Sequence, residues 1–423
     1  MNLNRHVIPP LAAMLFGCQT SPESRSPSRE VPGCDRVFVA GEDDREAIQT
    51  ALIEVGIDAT LCFSGRFELE TDRLTAQDKV RLTLRGIDEG EAVGSGAVFD
   101  FGGTVGPTGF KFANLTGVTL ENFSVLDVAG DGIEVRGSTD VTLRQLRISY
   151  PETGKTTNGA YGVYPVESTN VLVEGCEVEN ASDAGIYVGQ SKNIVVRNNL
   201  ASGNVSGVQV ENSINTEIVG NTTFNNTVGI FVHDIPGVPA GNGKTSWVHD
   251  NETYGNNTPN FAPGGIIAKY IPTGVGILVM AADHVEVSNN TLHDNQTTGL
   301  LLISFKLFEF LDAFENKPDP KYDPYPETIF IHDNEFADNG SHPDALFVDN
   351  FGLSELPDIT WDGFTDPDKD AAGGALRICI RNNLEASFRN MDVPGGGLDS
   401  TTELTAHDCE HPALGPVNLD PAN

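Results

Sequence analysis

Four residues, Tyr164, Tyr187, Gln209 and Phe231, stand 23, 22 and 22 positions apart, each third in a Gly-apolar-X-apolar tetrad. Just beyond them in successive repeats come Glu167, then Gln190, then Glu211 with Asn212, then His233 with Asp234. Aromatic rings stack on pyranose faces, while amides and acids hold hydroxyls, so this stripe suits a sugar chain. The expected ligand-binding set is Glu167, Gln190, Gln209, Glu211, Asn212, Phe231 and Asp234. Tyr164, Tyr187, Lys155 and His233 are the groups able to carry a proton, His233 being attractive because imidazole titrates near neutrality. Two insertions flank the stripe: residues 150–160, with Lys155, and residues 235–275, with Lys269 and Tyr270. Long loops raised beside one face are where a binding site is expected. The competing reading is that outward rings only stack on the next repeat, with the loops packed over them.

The elements that position these residues follow from the repeat. The tetrad begins at Gly109, Gly132, Gly162, Gly185, Gly207, Gly229, Gly276 and Gly299, a period of 22–23 interrupted by insertions. A second apolar-X-apolar run keeps phase with it, as in Val118-Thr-Leu120, Val141-Thr-Leu143, Val171-Leu-Val173 and Ile194-Val-Val196. Twenty-two residues per repeat leave room only for short strands and turns, so the expected fold is all-β, a right-handed parallel β-helix of about nine coils. Aligning the coils gives a column that runs Phe123, Leu146, Cys176, Asn199, Asn221, Asn251, Asn290, Asn334, Asn383. Its asparagines read as an internal amide ladder, and Cys176 as a core thiol. The neighbouring outward column, Glu121, Arg144, Glu174, Arg197, reads as a cross-strand charge ladder. His249, His293 and His332 each precede an Asp and read as turn or surface positions. Helical spacing of Ile48, Ala51, Leu52 and Val55 predicts a capping helix over 43–56, and an irregular cap is expected after about residue 384. A third inserted loop is expected at about 306–327.

The chain has 423 residues and a formal net charge of −34, which argues against nucleic acid and against a bulk polyanion unless a local basic groove exists. Arg5 and His6 precede a short apolar run, Val7 to Phe16, suited to a signal segment rather than a span. It ends Leu15-Phe16-Gly17-Cys18, which resembles a lipobox, so Cys18 is the expected lipidation site and Gln19 leans towards the outer membrane. The expected organisation is a signal over 1–17, a tether over 18–35 and one domain over 36–423. In an oxidising compartment Cys34 with Cys62, and Cys379 with Cys409, are disulfide candidates whose connectivity the sequence does not fix.

The runs Asn158-Gly-Ala-Tyr-Gly-Val-Tyr-Pro-Val166, Ser182-Asp-Ala-Gly-Ile-Tyr-Val-Gly-Gln-Ser191, Val210-Glu-Asn212, Asn256-Asn-Thr-Pro-Asn-Phe261 and Tyr322-Asp-Pro-Tyr-Pro-Glu327 resemble a family of bacterial parallel β-helix repeat lipoproteins. The resemblance covers most of the chain to about residue 350. It implies the fold of pectate and alginate lyases and mannuronan epimerases, in which substrate lies across outward residues of the first strand of each coil. Elimination or epimerisation of a uronate chain needs a base for the proton beside the carboxylate and a group that neutralises that carboxylate. Tyr164, Tyr187, Lys155 or His233 would be the base; Gln190, Asn212, Lys155 or a bound Ca²⁺ would neutralise. The Asp-Pro-His-Asp signature of the epimerases is absent, as are the spaced aspartates and Gly-His-Gly of polygalacturonases. Asp366-Pro-Asp-Lys-Asp370 has the carboxylate spacing of a calcium loop but lacks its glycine and closing Glu, so no cofactor is required by the sequence. The expected partners are a polysaccharide or another envelope component, met by a monomer tied to the membrane only through its lipid. The alternative is a module that binds without catalysis.

Overall fold

The computed structural model describes residues 31–42, 45–69, 73–103, 108–264, 267–311, 319–371 and 377–419. Cys18 and the signal segment lie outside them. Among the described residues three parallel sheets of 12, 11 and 10 strands run the length of a solenoid. One coil shows the plan. Asp131–Arg136 lies in the 11-stranded sheet, Thr139–Arg144 in the 12-stranded sheet and Arg147–Ser149 in the 10-stranded sheet. The next coil repeats this with Tyr161–Val166, Thr169–Glu174 and Glu177–Glu179. The 12-stranded sheet exceeds the nine expected coils because early strands such as Arg36–Val39 and Ala59–Ser64 carry no glycine tetrad.

Strand alternation sends every second residue inward, where Ile133, Val163, Ile186, Val208 and Ile230 stack in register within one continuous core. The residue before each asparagine of the ladder turns left-handed, as at Asn198 (φ 55°), Gly220 (64°), Asp250 (52°) and Asn289 (54°). Asn, Asp and Gly tolerate that conformation best. The expected amide ladder is present. Asn199 donates to Asn221 at 2.9 Å, Asn221 to Asn251 at 3.0 Å, and Asn251 to Asn290 at 2.9 Å. Each carboxamide oxygen also accepts a backbone N–H from the preceding coil, so the bent backbone is satisfied without water. Cys176 is a buried free thiol at the foot of this ladder, donating no side-chain amide but taking its place. A second ladder, Asn204, Asn226, Asn256, Asn295 and Asn339, runs five residues behind the first.

Charge pairs join Glu121 to Arg144 (2.6 Å) and Glu174 to Arg197 (2.7 Å), with Arg85 as a further member below Glu121. The capping helix spans Arg45–Glu54 and buries Ile48, Ala51 and Leu52. Lys79 donates to the carbonyls of Ile53 (2.6 Å), in its last turn, and Val55 (3.2 Å), just past its C-terminus, where a cation is favoured. Cys34–Cys62 and Cys379–Cys409 are disulfides. The cap after residue 384 is less irregular than expected, since Phe388–Asn390 adds a strand to the 11-stranded sheet.

Candidate functional site

The outer face of the 11-stranded sheet carries the predicted stripe, with Tyr164 paired to Glu134, Tyr187 to Gln209 and Gln209 to Phe231 in neighbouring strands. Its exposure falls along the helix axis. Tyr164 is half-buried, Tyr187 is 4% exposed, Gln209 1% and Phe231 0%. Beyond Gln209 the outward residues form a second hydrophobic core: Val228, Phe231, Leu278 and Leu301 pack under Phe261 and Phe308. The expected ligand contact Phe231 is therefore a core residue. Hydrophobic side chains on the inner side of the inserted loops remove more apolar surface from water by closing onto the sheet than by standing away from it.

Two other expected ligand residues hold this cover in place. Asn212 donates to the carbonyls of Ile235 (3.0 Å) and Gly241 (2.7 Å), and Asp234 accepts the Gly243 N–H at 2.8 Å. Their polar groups are spent on the loop rather than offered to a ligand. His233 stacks on Phe231 at 3.9 Å, faces Gln209 at 3.0 Å, and is pushed down to about 3 by burial. A neutral imidazole of that acidity is a poor base at neutral pH. Lys155 pairs with Glu152 at 2.6 Å in its own exposed loop. Glu167 is exposed and bound to Arg136 at 2.7 Å. Gln190 is half-buried in left-handed backbone (φ 50°), with its carboxamide oxygen unpartnered.

What the fold does bring together lies at the open end. Tyr161, Tyr164 and Tyr187 form a triangle of rings with centroids 4.6, 4.6 and 5.1 Å apart. The Tyr161 phenol lies beside Asp183 and the Tyr187 phenol beside Glu211 in the following coil, each close enough to hold its carboxyl down. Tyr187 reaches Glu211 by lying over Gly189, where a Cβ would come within 2.3 Å of the phenol oxygen. Burial pushes the carboxyls of Asp183 and Glu211 up to about 7 each, against the lowering effect of their tyrosines. Burial likewise lifts Asp131, beside Tyr161, to about 6, and the Tyr164 phenol to about 12. Asp183 Oδ1, Ser206 Oγ and Gln209 Oε1 are buried without partners in this part of the sheet. Cations border the open side, where Lys111 meets Glu134 at 2.8 Å and Arg136 meets the Tyr164 hydroxyl at 3.2 Å. The arrangement holds two carboxyls, each beside a tyrosine, that give and take protons near neutrality, while burial raises the Tyr161 and Tyr187 phenols well above their usual value.

Sequence reasoning missed Asp131, Tyr161 and Asp183. Each precedes its tetrad glycine by one or two positions (Asp131-Gly132, Tyr161-Gly162, Asp183-Ala-Gly185), a recurrence that would have found them.

A separate acidic group, Asp283, Asp323 and Glu327, brings its ligand atoms within 4.8 Å of one another, which fits a cation. Lys369 already occupies it, 2.6 Å from Asp323 and bonded to Glu327. An ammonium and a Ca²⁺ would exclude one another there. The Asp366–Asp370 stretch is no calcium loop: Asp366 caps the short helix Pro367–Ala371, accepting the Asp368 N–H at 2.9 Å.

Residues 104–237 match the family model described as a right handed beta helix region. The chain is a right-handed parallel β-helix. Among solved structures, the A-module of mannuronan C-5 epimerase AlgE6 from Azotobacter vinelandii superposes with a TM-score of 0.52, at 15% identity over 78% of this chain and 79% of that one. The AlgE4 A-module of the same organism gives 0.45, at 15% identity over 82% and 86%. Pectate lyase Pel9A gives 0.37, at 10% identity over 83% and 77%. No curated protein matches the β-helix sequence.

Proposed function

We propose that this β-helix is an exported polysaccharide-active protein that eliminates or epimerises uronate-type chains at the Tyr161–Tyr164–Tyr187 face. The observation that carries this is the placement of two buried carboxyls, Asp183 and Glu211, each pushed up to about 7, beside the Tyr161–Tyr164–Tyr187 ring triangle on successive coils. Glu211, poised near neutrality, takes the proton beside the sugar carboxylate; a tyrosine hydroxyl supplies one to the leaving oxygen or to the opposite face of the carbanion. Asp183 in its protonated form, with Arg136 at the rim, meets the sugar carboxylate without charge repulsion. The tyrosine rings offer stacking surface to the sugar.

A second reading, binding without turnover, is favoured by the positions of Lys155 and His233, which leave the stripe without the cation and imidazole that the sequence suggested. The test is incubation of the mature protein with a panel of uronate polysaccharides, following unsaturated-product absorbance and sugar composition. Turnover that Glu211→Gln and Tyr187→Phe abolish supports the enzyme. Retained binding, lost in Tyr164→Ala, with no turnover on any chain supports the module; loss of neither refutes both.

We further propose that Cys18 carries lipid and tethers the β-helix to the outer membrane as a member of the lipoprotein family it resembles. The signal-like run before it and the two disulfides expected of an oxidising compartment support this. A Cys18→Ala protein that still partitions with membranes would contradict it.

A further inference from the structure

The C-terminal segment, residues 410–419, lies outside the coils and crosses the outer face of the 12-stranded sheet. His411 donates to the carbonyl of Arg377 at 2.7 Å, the Leu414 N–H donates to Glu286 at 2.6 Å, and the Val417 N–H donates to Glu217 at 2.7 Å. These contacts are three residues apart along the segment. On the sheet, Arg377 borders the strand Ile378–Arg381, while Glu286 and Glu217 lie two and four strands further along. Two strand spacings amount to about 9.6 Å, and three residues of polyproline II rise about 9.3 Å. The two periods match twice in succession. Exposure along the segment follows the same period, with His411, Leu414 and Val417 half-buried and the pairs between them exposed. Pro412 and Pro416 fall at exposed positions and favour that extended backbone.

The receiving surface is built for this. Glu217 and Glu286 each divide their two oxygens between a tail amide and a histidine: His249 reaches Glu217 at 3.3 Å and His332 reaches Glu286 at 3.2 Å. Each histidine is held from its other nitrogen by the following aspartate, Asp250 or Asp333, at 2.6 Å. Each also stacks on an aromatic two residues earlier, Trp247 at 3.6 Å and Phe330 at 4.1 Å. His249 is only 6% exposed, more buried than the turn or surface position expected from sequence, while His332 is half-buried. The column of outward residues thus alternates Glu217, Trp247, Glu286, Phe330.

We propose that this face is a peptide-binding groove that reads an extended segment by two free amide N–H groups three residues apart, and that the C-terminal segment is its releasable resident ligand. The groove is distinct from the tyrosine face, which lies on another sheet.

Replacing the two amide donors by proline tests it, because proline removes the N–H and keeps the extended backbone. In the full chain carrying Leu414→Pro and Val417→Pro, acrylamide quenching of Trp247 rises while thermal unfolding of the β-helix is unchanged. A labelled peptide of residues 410–419 then binds that variant saturably. It fails to bind the unmodified chain, where the tethered segment competes at high effective concentration. Adding Glu217→Gln and Glu286→Gln weakens peptide binding at least ten-fold, since charge-assisted acceptors become neutral ones. Unchanged Trp247 quenching in the proline variant would overturn the proposal, because the amides would not be holding the segment. So would quenching that rises without peptide binding, because the face would then not be a groove for that peptide.

Discussion

Replacing Glu211 by glutamine should stabilise the protein at alkaline pH while removing the base of the proposed reaction. Glu211 is 7% exposed, and burial lifts its carboxyl from 4.5 to about 7 although the neighbouring Tyr187 phenol holds it down. At 1.36 kcal/mol per pKa unit, that gap corresponds to about 3 kcal/mol. Between pH 4.5 and 7 the folded chain binds this proton more tightly than the unfolded chain, so stability falls as pH rises through that window. The contribution is fully present below about 4.5 and lost just above 7. Glutamine stays neutral at every pH, so the variant escapes the loss. Asp183 lies in the field of Glu211, and it too should ionise more easily once that charge is gone. Denaturant unfolding at pH 4, 6 and 8 should therefore show the two proteins equal at pH 4, with the glutamine variant ahead by about 3 kcal/mol at pH 8. A variant no more stable than the parent at pH 8 would show that Glu211 is not held protonated by burial, and would remove the proposed base.

Three further outcomes are expected. Gly189→Ala should drive the Tyr187 ring off Glu211, since the new Cβ would fall within 2.6 Å of it; the check is loss of turnover or sugar binding with the fold intact by circular dichroism. Asn251→Ala removes a buried carboxamide that serves Asn221, Ile218 and Asn290, and should cost about 3–6 kcal/mol from the orphaned groups, read as lost stability and as faster amide exchange in the adjoining coils. Cys176 should resist thiol reagents until the protein unfolds, because burial both hides it and pushes its thiol up to about 12.

Much of the framework was legible because it is written in a short period. The tetrad glycines, the alternating apolar residues and the column from Asn199 to Asn383 recur within one coil of each other, so their register could be laid out on paper. The second ladder was equally visible, each Asn following a first-ladder Asn by five residues, as in Asn199 and Asn204 or Asn290 and Asn295. The charge ladder also lay in plain sequence order, whereas the four cysteines were only candidates until the fold brought Cys34 to Cys62 and Cys379 to Cys409. The histidines were harder, since the partners of His249 and His332 include Glu217 and Glu286 one coil away and, through those, a tail up to 200 residues distant.

The candidate site divides along the same line. Strand alternation alone determined that Tyr164, Tyr187, Gln209 and Phe231 point away from the main core, because side-chain direction follows from backbone pleat and register. Whether an outward residue meets water or a second core depended on where the inserted loops fold. Those loops buried Phe231, Asn212, Asp234 and His233 and left Tyr161 and Tyr164 half-exposed. The same burial raised Asp183 and Glu211 into the range where carboxyls exchange protons at neutral pH. Sequence determined the repeat and its direction; tertiary structure decided the burial, because burial is a property of what packs on top, and nothing within a coil encodes that.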